Sequence, residues 1–457
     1  MLPSSPKVVV CGAGLAGIAA AYHVARAHEG ADVLLVDAGH PLSLTSDKST
    51  EAYRNWWPGP DRAMTDFMNR SIDLMEAIAR ETGNRINLNR RGYAFATTDA
   101  AKIPFLAEMA NSAEARGGGP ARWHESRGST YLPSPERGYD LPLSGADVIT
   151  DPRLIRQHFA YLAPETVAVV HARRAGWLSA QQLGMVMLEA SRARGVRFVR
   201  GRVVAFETAG GRVSAVQVDQ DSGPLRIEAT HVVLAGGPLQ TGLTRMLGID
   251  DLPIVAEPHF KVSFPDPLGG LPREAPMLIW LDAQHLPWTE DERAALAEDS
   301  SAAWLLGPFP AGVHGRPEGA GTTMILFNQH GQALAEPVFP LAEPEHYAEI
   351  ALRGMATMVP GLKAYDARSF RPYVDGGYYS RTVENRPLIG PLPVEGAYVS
   401  CAYSGFGVMA ACAGGELAAS HVLGKPLPDY APAFLPSRYG DPSYRALLES
   451  WGEDGQL

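Results

Sequence analysis

Cysteine is nearly missing from this chain: Cys11, Cys401 and Cys412 are the only three in 457 residues. They are too few and too scattered for a disulfide framework or a zinc site. Each lies in an apolar or small-residue run, which predicts buried free thiols and a reducing compartment. Positive charge is also short, with 40 Lys and Arg against 50 Asp and Glu. The net charge of -10 gives no basic footprint for nucleic acid, so an anionic small molecule must be attracted by a few placed cations. No uninterrupted apolar run reaches the roughly 18–20 residues of a membrane span. The apolar stretch near the start is not read as a targeting signal, because only Lys7 supplies a basic region and glycines break it. Repeats and low-complexity tracts are missing too. The expectation is a cytoplasmic protein with no nucleic-acid partner, no bound metal and no integral membrane contact.

What is present is a strand–helix alternation too long for one core, so two domains are expected. Residues 7–11 read as a buried strand, 15–28 as a helix and 32–36 as a second strand, the size of a parallel crossover unit. A helix follows over 62–82, with Met64, Phe67, Met68, Ile72, Met75 and Ile78 at helical spacing as core. Residues 91–98 alternate as a strand, and 117–145 read as connecting loops. Further on come a helix at 180–194, a strand at 196–200, and a hairpin 202–207/212–218 turning at Gly210-Gly211. A buried strand 231–235 is followed by short apolar runs over 253–330, which suggest an antiparallel sheet. A helix at 345–359, a strand at 397–402 and a small-residue helix at 407–423 complete the pattern.

Gly12-Ala13-Gly14-Leu15-Ala16-Gly17 fits G-x-G-x-x-G between the first strand and helix, the context that the motif requires. Gly12 permits the tight turn, Gly14 lets the backbone approach a pyrophosphate, and Gly17 allows close helix–strand packing. The free N–H groups at the helix start then favour the diphosphate. Asp37 ends the second strand, where a carboxylate accepts ribose hydroxyls and repels the 2′-phosphate of NADP. The motif alone does not separate FAD from NAD.

Five segments together resemble the D-amino-acid oxidase superfamily, in its sarcosine oxidase, glycine oxidase and dimethylglycine dehydrogenase branch. They are the glycine turn with Asp37; Thr45-Ser46-Asp47-Lys48-Ser49-Thr50 with Glu51-Ala52-Tyr53-Arg54; Arg202-Val203-Val204 with Val232 to Pro238; Arg371-Pro372-Tyr373 with Thr382 to Pro391; and Tyr403-Ser404-Gly405-Phe406-Gly407. The resemblance implies an α/β fold with an α+β second domain: a Rossmann-like FAD-binding domain of glutathione-reductase type, interleaved with an antiparallel-sheet substrate domain. The FAD-binding domain is expected over 1–90, 150–245 and 371–425, the substrate domain over 91–149 and 246–370, and a tail over 426–457. FAD contacts are implied at Gly12, Gly14, Leu15, Ala16, Gly17, Asp37, Ala38, Ser46, Ser49, Thr50, Val203, Ala235, Gly236, Gly390, Ser404, Gly405, Phe406, Gly407 and Val408.

This chain also departs from the family pattern. Glu384 replaces the usual Asp, Phe406 replaces the histidine of the glycine loop, and Met409 stands where sarcosine oxidases carry a carboxylate-binding Lys. The Lys associated there with oxygen activation has no counterpart near Thr323-Met324-Ile325. Gly377 or Tyr378 occupies the region of the flavin-linking Cys, so noncovalent FAD is expected. These losses argue against sarcosine as substrate and against rapid reaction with oxygen.

The expected reaction moves a hydride equivalent from the carbon beside an amine nitrogen to flavin N5 and leaves an imine. Arg54 is the first candidate for gripping a substrate carboxylate, against a structural ion pair. Trp56 and Trp57 wall the pocket or pack the core. Of Tyr378 and Tyr379, strand alternation turns one toward the cavity. His259 and Lys261 begin the second domain's sheet; Lys261 is a substitute cation and His259 a polar edge residue or a catalytic one. Arg371 reads as an internal brace. The partners are a small amine or amino acid and oxygen or another electron acceptor. A flavoprotein acting on a 2-hydroxy acid and a non-catalytic FAD-binding assembly protein are the alternatives.

Overall fold

The computed structural model describes residues 6–451 except 58, 127, 136, 329–331 and 366–368. Strand Lys7–Cys11 is buried from Val8 onward, and an apolar strand of that kind belongs inside a covered parallel sheet. It lies between the parallel strands His231–Leu234 and Asp32–Asp37. The six-stranded sheet runs Leu388–Pro391, Ala397–Cys401, His231–Leu234, Lys7–Cys11, Asp32–Asp37, Arg197–Arg200. Only the first pair is antiparallel.

Small residues explain the helical layer on one face. Helices Leu15–Ala27 and Gly407–Val422 approach so closely that a Cβ on Gly415 would meet Ala19 C at 2.4 Å. Helix Ala63–Glu81 buries the expected methionine and isoleucine stripe in the same core. On the other face a meander, Arg202–Ala209, Arg212–Asp219 and Leu225–Glu228, covers a second apolar cluster. Its first turn is Gly210-Gly211 at φ 60 and 81, the left-handed pair that a two-residue hairpin requires.

The second sheet has nine strands: Tyr373–Arg381, Val255–Pro265, Thr322–Leu326, His314–Glu318, Met277–Trp280, Tyr93–Thr97, Ala168–Ala172, Ala146–Ile149, Ala121–His124. It is antiparallel apart from the pairs Met277–Trp280/Tyr93–Thr97 and Ala121–His124/Ala146–Ile149. Helix Tyr347–Met358 packs on one face through Phe260, Val262, Phe264, Ile325 and Phe327. The expected antiparallel region is therefore present.

Its membership differs from the sequence expectation in three places. Ala168–Ala172 and Tyr373–Arg381 pair in this sheet, although they fall inside stretches expected for the FAD-binding domain. A fully buried run such as Ala168–Ala172 reads alike in either sheet, so its partner rather than its pattern decides. Within the expected loops of 117–145, Ala121–His124 forms an edge strand.

The expected tail folds back as short turns and helix Pro442–Ser450; residues 452–457 lie outside the described residues. Its Arg438 makes a buried ion pair with Glu384 at 2.7 Å, and the hydroxyls of Tyr439 and Tyr444 donate to the same carboxylate. All three cysteines are free and buried, and burial pushes the Cys11 and Cys412 thiols up to about 12. Among the described residues no helix is long and apolar enough to cross a membrane.

Candidate active site

The glycine turn is dictated by sterics. Gly12 sits at φ +113, and a Cβ there would lie 2.2 Å from the Ala235 carbonyl oxygen. A Cβ on Gly17 would lie 1.9 Å from the Gly12 oxygen, so helix and turn could not pack with larger residues. The first intrahelical bond runs from Ile18 N–H to Gly14 O at 3.0 Å, leaving the preceding amides at the helix start for other acceptors. Leu15 N–H donates to Ser46 Oγ at 3.0 Å, which ties the Ser/Thr loop to the turn. Asp37 stiffens the other side: its oxygens accept Ala13 N–H and Gly39 N–H, each at 2.7 Å.

A continuous groove follows from this arrangement. Its outer part is walled by Gly12, Asp37, Ala38, Val203 and Gly236; its inner part by Leu15, Ala16, Ser49, Thr50 and the loop Ser404, Gly405, Gly407, Val408. Gly14, Ser46 and Ala235 border both. The two parts hold about 1360 and 910 Å³, open solvent included. A carboxylate at one end, helix-start amides in the middle and an apolar cavity at the other end fit an adenine dinucleotide such as FAD.

At the inner end the groove meets the nine-stranded sheet. Strands Val255–Pro265 and Tyr373–Arg381 pair with Glu257 opposite Tyr379, His259 opposite Gly377 and Lys261 opposite Asp375. Alternation therefore places Glu257, His259, Lys261 and Tyr379 on one face. The His259 and Tyr379 rings stack with centroids 3.7 Å apart. His259 Nε2 bonds Glu257 Oε1 at 3.0 Å, and Arg381 Nε donates to Oε2 of the same carboxylate at 2.6 Å. The bond from His259, then that from Arg381, outweigh burial and hold the Glu257 carboxyl at about 2. His259 Nδ1 is buried with no hydrogen-bond partner among the described residues. Lys261 Nζ donates to Ser49 O at 2.8 Å, and burial lowers its pKa despite Asp375 and Glu51 nearby. Burial pushes the Tyr379 phenol up to about 12, so it stays protonated and can donate.

The other candidates stand off this face. Tyr378 borders the inner cavity from the opposite side of its strand, and its hydroxyl both donates to Val338 O and accepts Val338 N–H. Arg54 is buried but does not wall the groove. Its Nε donates to Trp56 O at 3.1 Å, and its guanidinium lies over the rings of Trp57 and Tyr93 at 4.5 and 5.6 Å. Trp56 packs on Phe95 and Trp57 on Phe406, so both tryptophans are core. Phe406 and Met409 are buried in the helical core away from the groove wall. Gly390, at φ +148, packs beneath Leu435 and does not border the groove, and Gly17 acts through packing alone. Arg371 is exposed rather than internal.

Sequence reading overlooked Lys48, Cys401 and Glu257. Lys48 borders the inner cavity, 3.2 Å from Asp375. Cys401 borders it at the end of strand Ala397–Cys401. Glu257 stands two residues before His259, so the same alternation could have found it.

A family model described as FAD-dependent oxidoreductase (DAO) matches residues 7–421. No curated protein matches the sequence. Among solved structures, L-proline dehydrogenase from P. horikoshii is similar with 18% identity and a TM-score of 0.73, covering 96% of this chain and 99% of that one. Glycine oxidase from Geobacillus kaustophilus has 16% identity and a TM-score of 0.69, over 94% and 98% of the two chains. Iminodiacetate oxidase from Chelativorans sp. BNC1 has 15% identity and a TM-score of 0.69, over 94% and 99%. At these identities the likeness shows a shared fold.

Proposed function

Since the chain belongs to the DAO family of FAD-dependent oxidoreductases, we propose that it oxidises the C–N bond of an amino acid or a secondary or N-methyl amine to an imine. The observation that carries this reading is the sheet face closing the groove, where Lys261, His259 and Tyr379 stand together beside the inner cavity. The structural neighbours named for proline, glycine and iminodiacetate oxidation support an amine donor over a 2-hydroxy acid.

Bound FAD would supply the two-electron oxidation, taking a hydride equivalent from the carbon beside nitrogen. The chain's residues position and desolvate. Asp37 would meet the ribose, the start of helix Leu15–Ala27 the diphosphate, and Ser404, Gly405, Gly407 and Val408 the ring. Lys261 takes the role first expected of Arg54: it is a cation on the cavity wall, on the same sheet face as His259 and Tyr379, with donors left beyond the one used on Ser49 O. Tyr379 donates a hydrogen bond to substrate, and His259, oriented by Glu257, holds or accepts a proton at Nδ1. FAD is held noncovalently in this reading, because Gly377 or Tyr378 stands in the region where the resembling enzymes carry a linking cysteine. The buried free thiols support a cytoplasmic location.

Anaerobic addition of candidate donors to the yellow protein tests the proposal. Loss of flavin absorbance with amino acids or secondary amines is the expected result. Bleaching by 2-hydroxy acids alone, or by nothing, would overturn it.

A further inference from the structure

The segment from 334 to 343 carries Pro337 and Pro340 with Pro344 just beyond, a spacing that precludes a helix or an inner strand. It passes, with bends at 335–336 and 339–340, beside both parts of the groove. Glu336 and Pro337 wall the outer, ribose-side part. Phe339, Leu341 and Glu343 wall a side cavity that shares Thr45, Lys48, Gly377 and Tyr378 with the inner part.

Among the described residues few contacts hold this segment, and its far end is anchored by Leu341 packing against the core of the second sheet. Leu334 exchanges two backbone hydrogen bonds with Ala256, at 2.7 and 2.8 Å. Glu336 pairs with Arg245 at the surface. The Tyr378 hydroxyl accepts Val338 N–H at 2.9 Å and donates to Val338 O at 2.7 Å, while its ring packs edge-on against Phe339 at 5.5 Å. On the outer side Val338 is 63% and Phe339 47% exposed among the described residues. A side chain that satisfies both backbone groups of one residue in a segment lacking regular structure is a point fastening.

We propose that residues 334–343 form a strap that closes over bound FAD, and that Tyr378 is its latch, a positioning residue rather than a substrate contact. The inference rests on the cofactor reading above. Release of FAD requires the strap to lift, so the latch governs how long the cofactor stays.

Tyr378→Phe keeps the ring packed on Phe339 and removes both hydrogen bonds. Free-flavin fluorescence after dilution of the holoprotein should rise roughly ten-fold faster in this variant. Glu336→Gln, a surface change that leaves folding intact, should speed release about two-fold. Tyr373→Phe, at the exposed start of the same strand, should leave release unchanged. Hydrogen exchange should show the Val338 amide protected in the parent protein and exposed in Tyr378→Phe. Yellow protein whose release rate and Val338 exchange are the same in all variants overturns the strap alone. A colourless chain that takes up no FAD overturns the strap and the cofactor reading together.

Discussion

Replacing Lys261 by Met keeps the aliphatic stem and removes the ammonium, which makes it the sharpest test of the substrate site. In the native chain one of the three Nζ donors is used on Ser49 O at 2.8 Å. The remaining two can meet a carboxylate in a half-buried setting, where a hydrogen bond to a charged group contributes about 1.5–3 kcal/mol. That energy corresponds to roughly 10- to 150-fold in binding. Steady-state kinetics on an amino-acid donor should therefore show KM rising by that factor, with kcat changing far less and FAD content unchanged. The matching amine without a carboxylate should be insensitive to the substitution. The pH profile gives an independent reading. Burial depresses the Lys261 pKa below its usual 10.5, so the cation is lost as pH climbs through that lowered value and KM rises on the alkaline side. Lys261→Arg should push this alkaline limb higher, and Lys261→Met should abolish it. Equal losses on the amino acid and its decarboxylated counterpart would refute the assignment.

Three further outcomes are expected. Gly12→Ala forces a Cβ to 2.2 Å from a carbonyl oxygen at φ +113, so the variant should lose FAD binding and melt well below the parent in calorimetry. Arg438→Met leaves the Glu384 carboxylate buried without its cation and should cost about 3–5 kcal/mol in denaturant unfolding. Glu257 has a folded pKa of about 2 against an ordinary 4.5, so its stabilisation is present above 4.5 and lost as pH falls toward 2. It amounts to about 3 kcal/mol, and thermal melts of Glu257→Gln should be flatter than the parent's across that acid window.

Local chemistry was legible where one segment makes its own case. The glycine turn, Asp37, the loop from Ser46 to Thr50 and the alternation of Tyr378 and Tyr379 each carry their constraint within a few residues. Arg54 was not legible, because its direction depends on the pairing of Ala52–Arg54 with Ala175–Trp177 and on rings contributed by Trp57 and Tyr93. Gly390 and Phe406 were placed by their positions within family-like segments, but Leu435 and Trp57 decide which way those positions face. The strap has no period to detect. Its course depends on Tyr378 and Arg245, which are remote in sequence.

The parallel sheet has a consequence for how the protein is made. Its central strand Lys7–Cys11 is flanked by His231–Leu234, which in turn needs Ala397–Cys401 at its far edge. A ribosome therefore delivers the phosphate-cradling turn long before the strand and loop that complete the cavity exist. Contacts so distant along the chain must await most of translation and close slowly. Nascent chains stalled ahead of residue 397 should emerge unpigmented and dependent on chaperones, and flavin should enter only after synthesis has passed the final sheet strand.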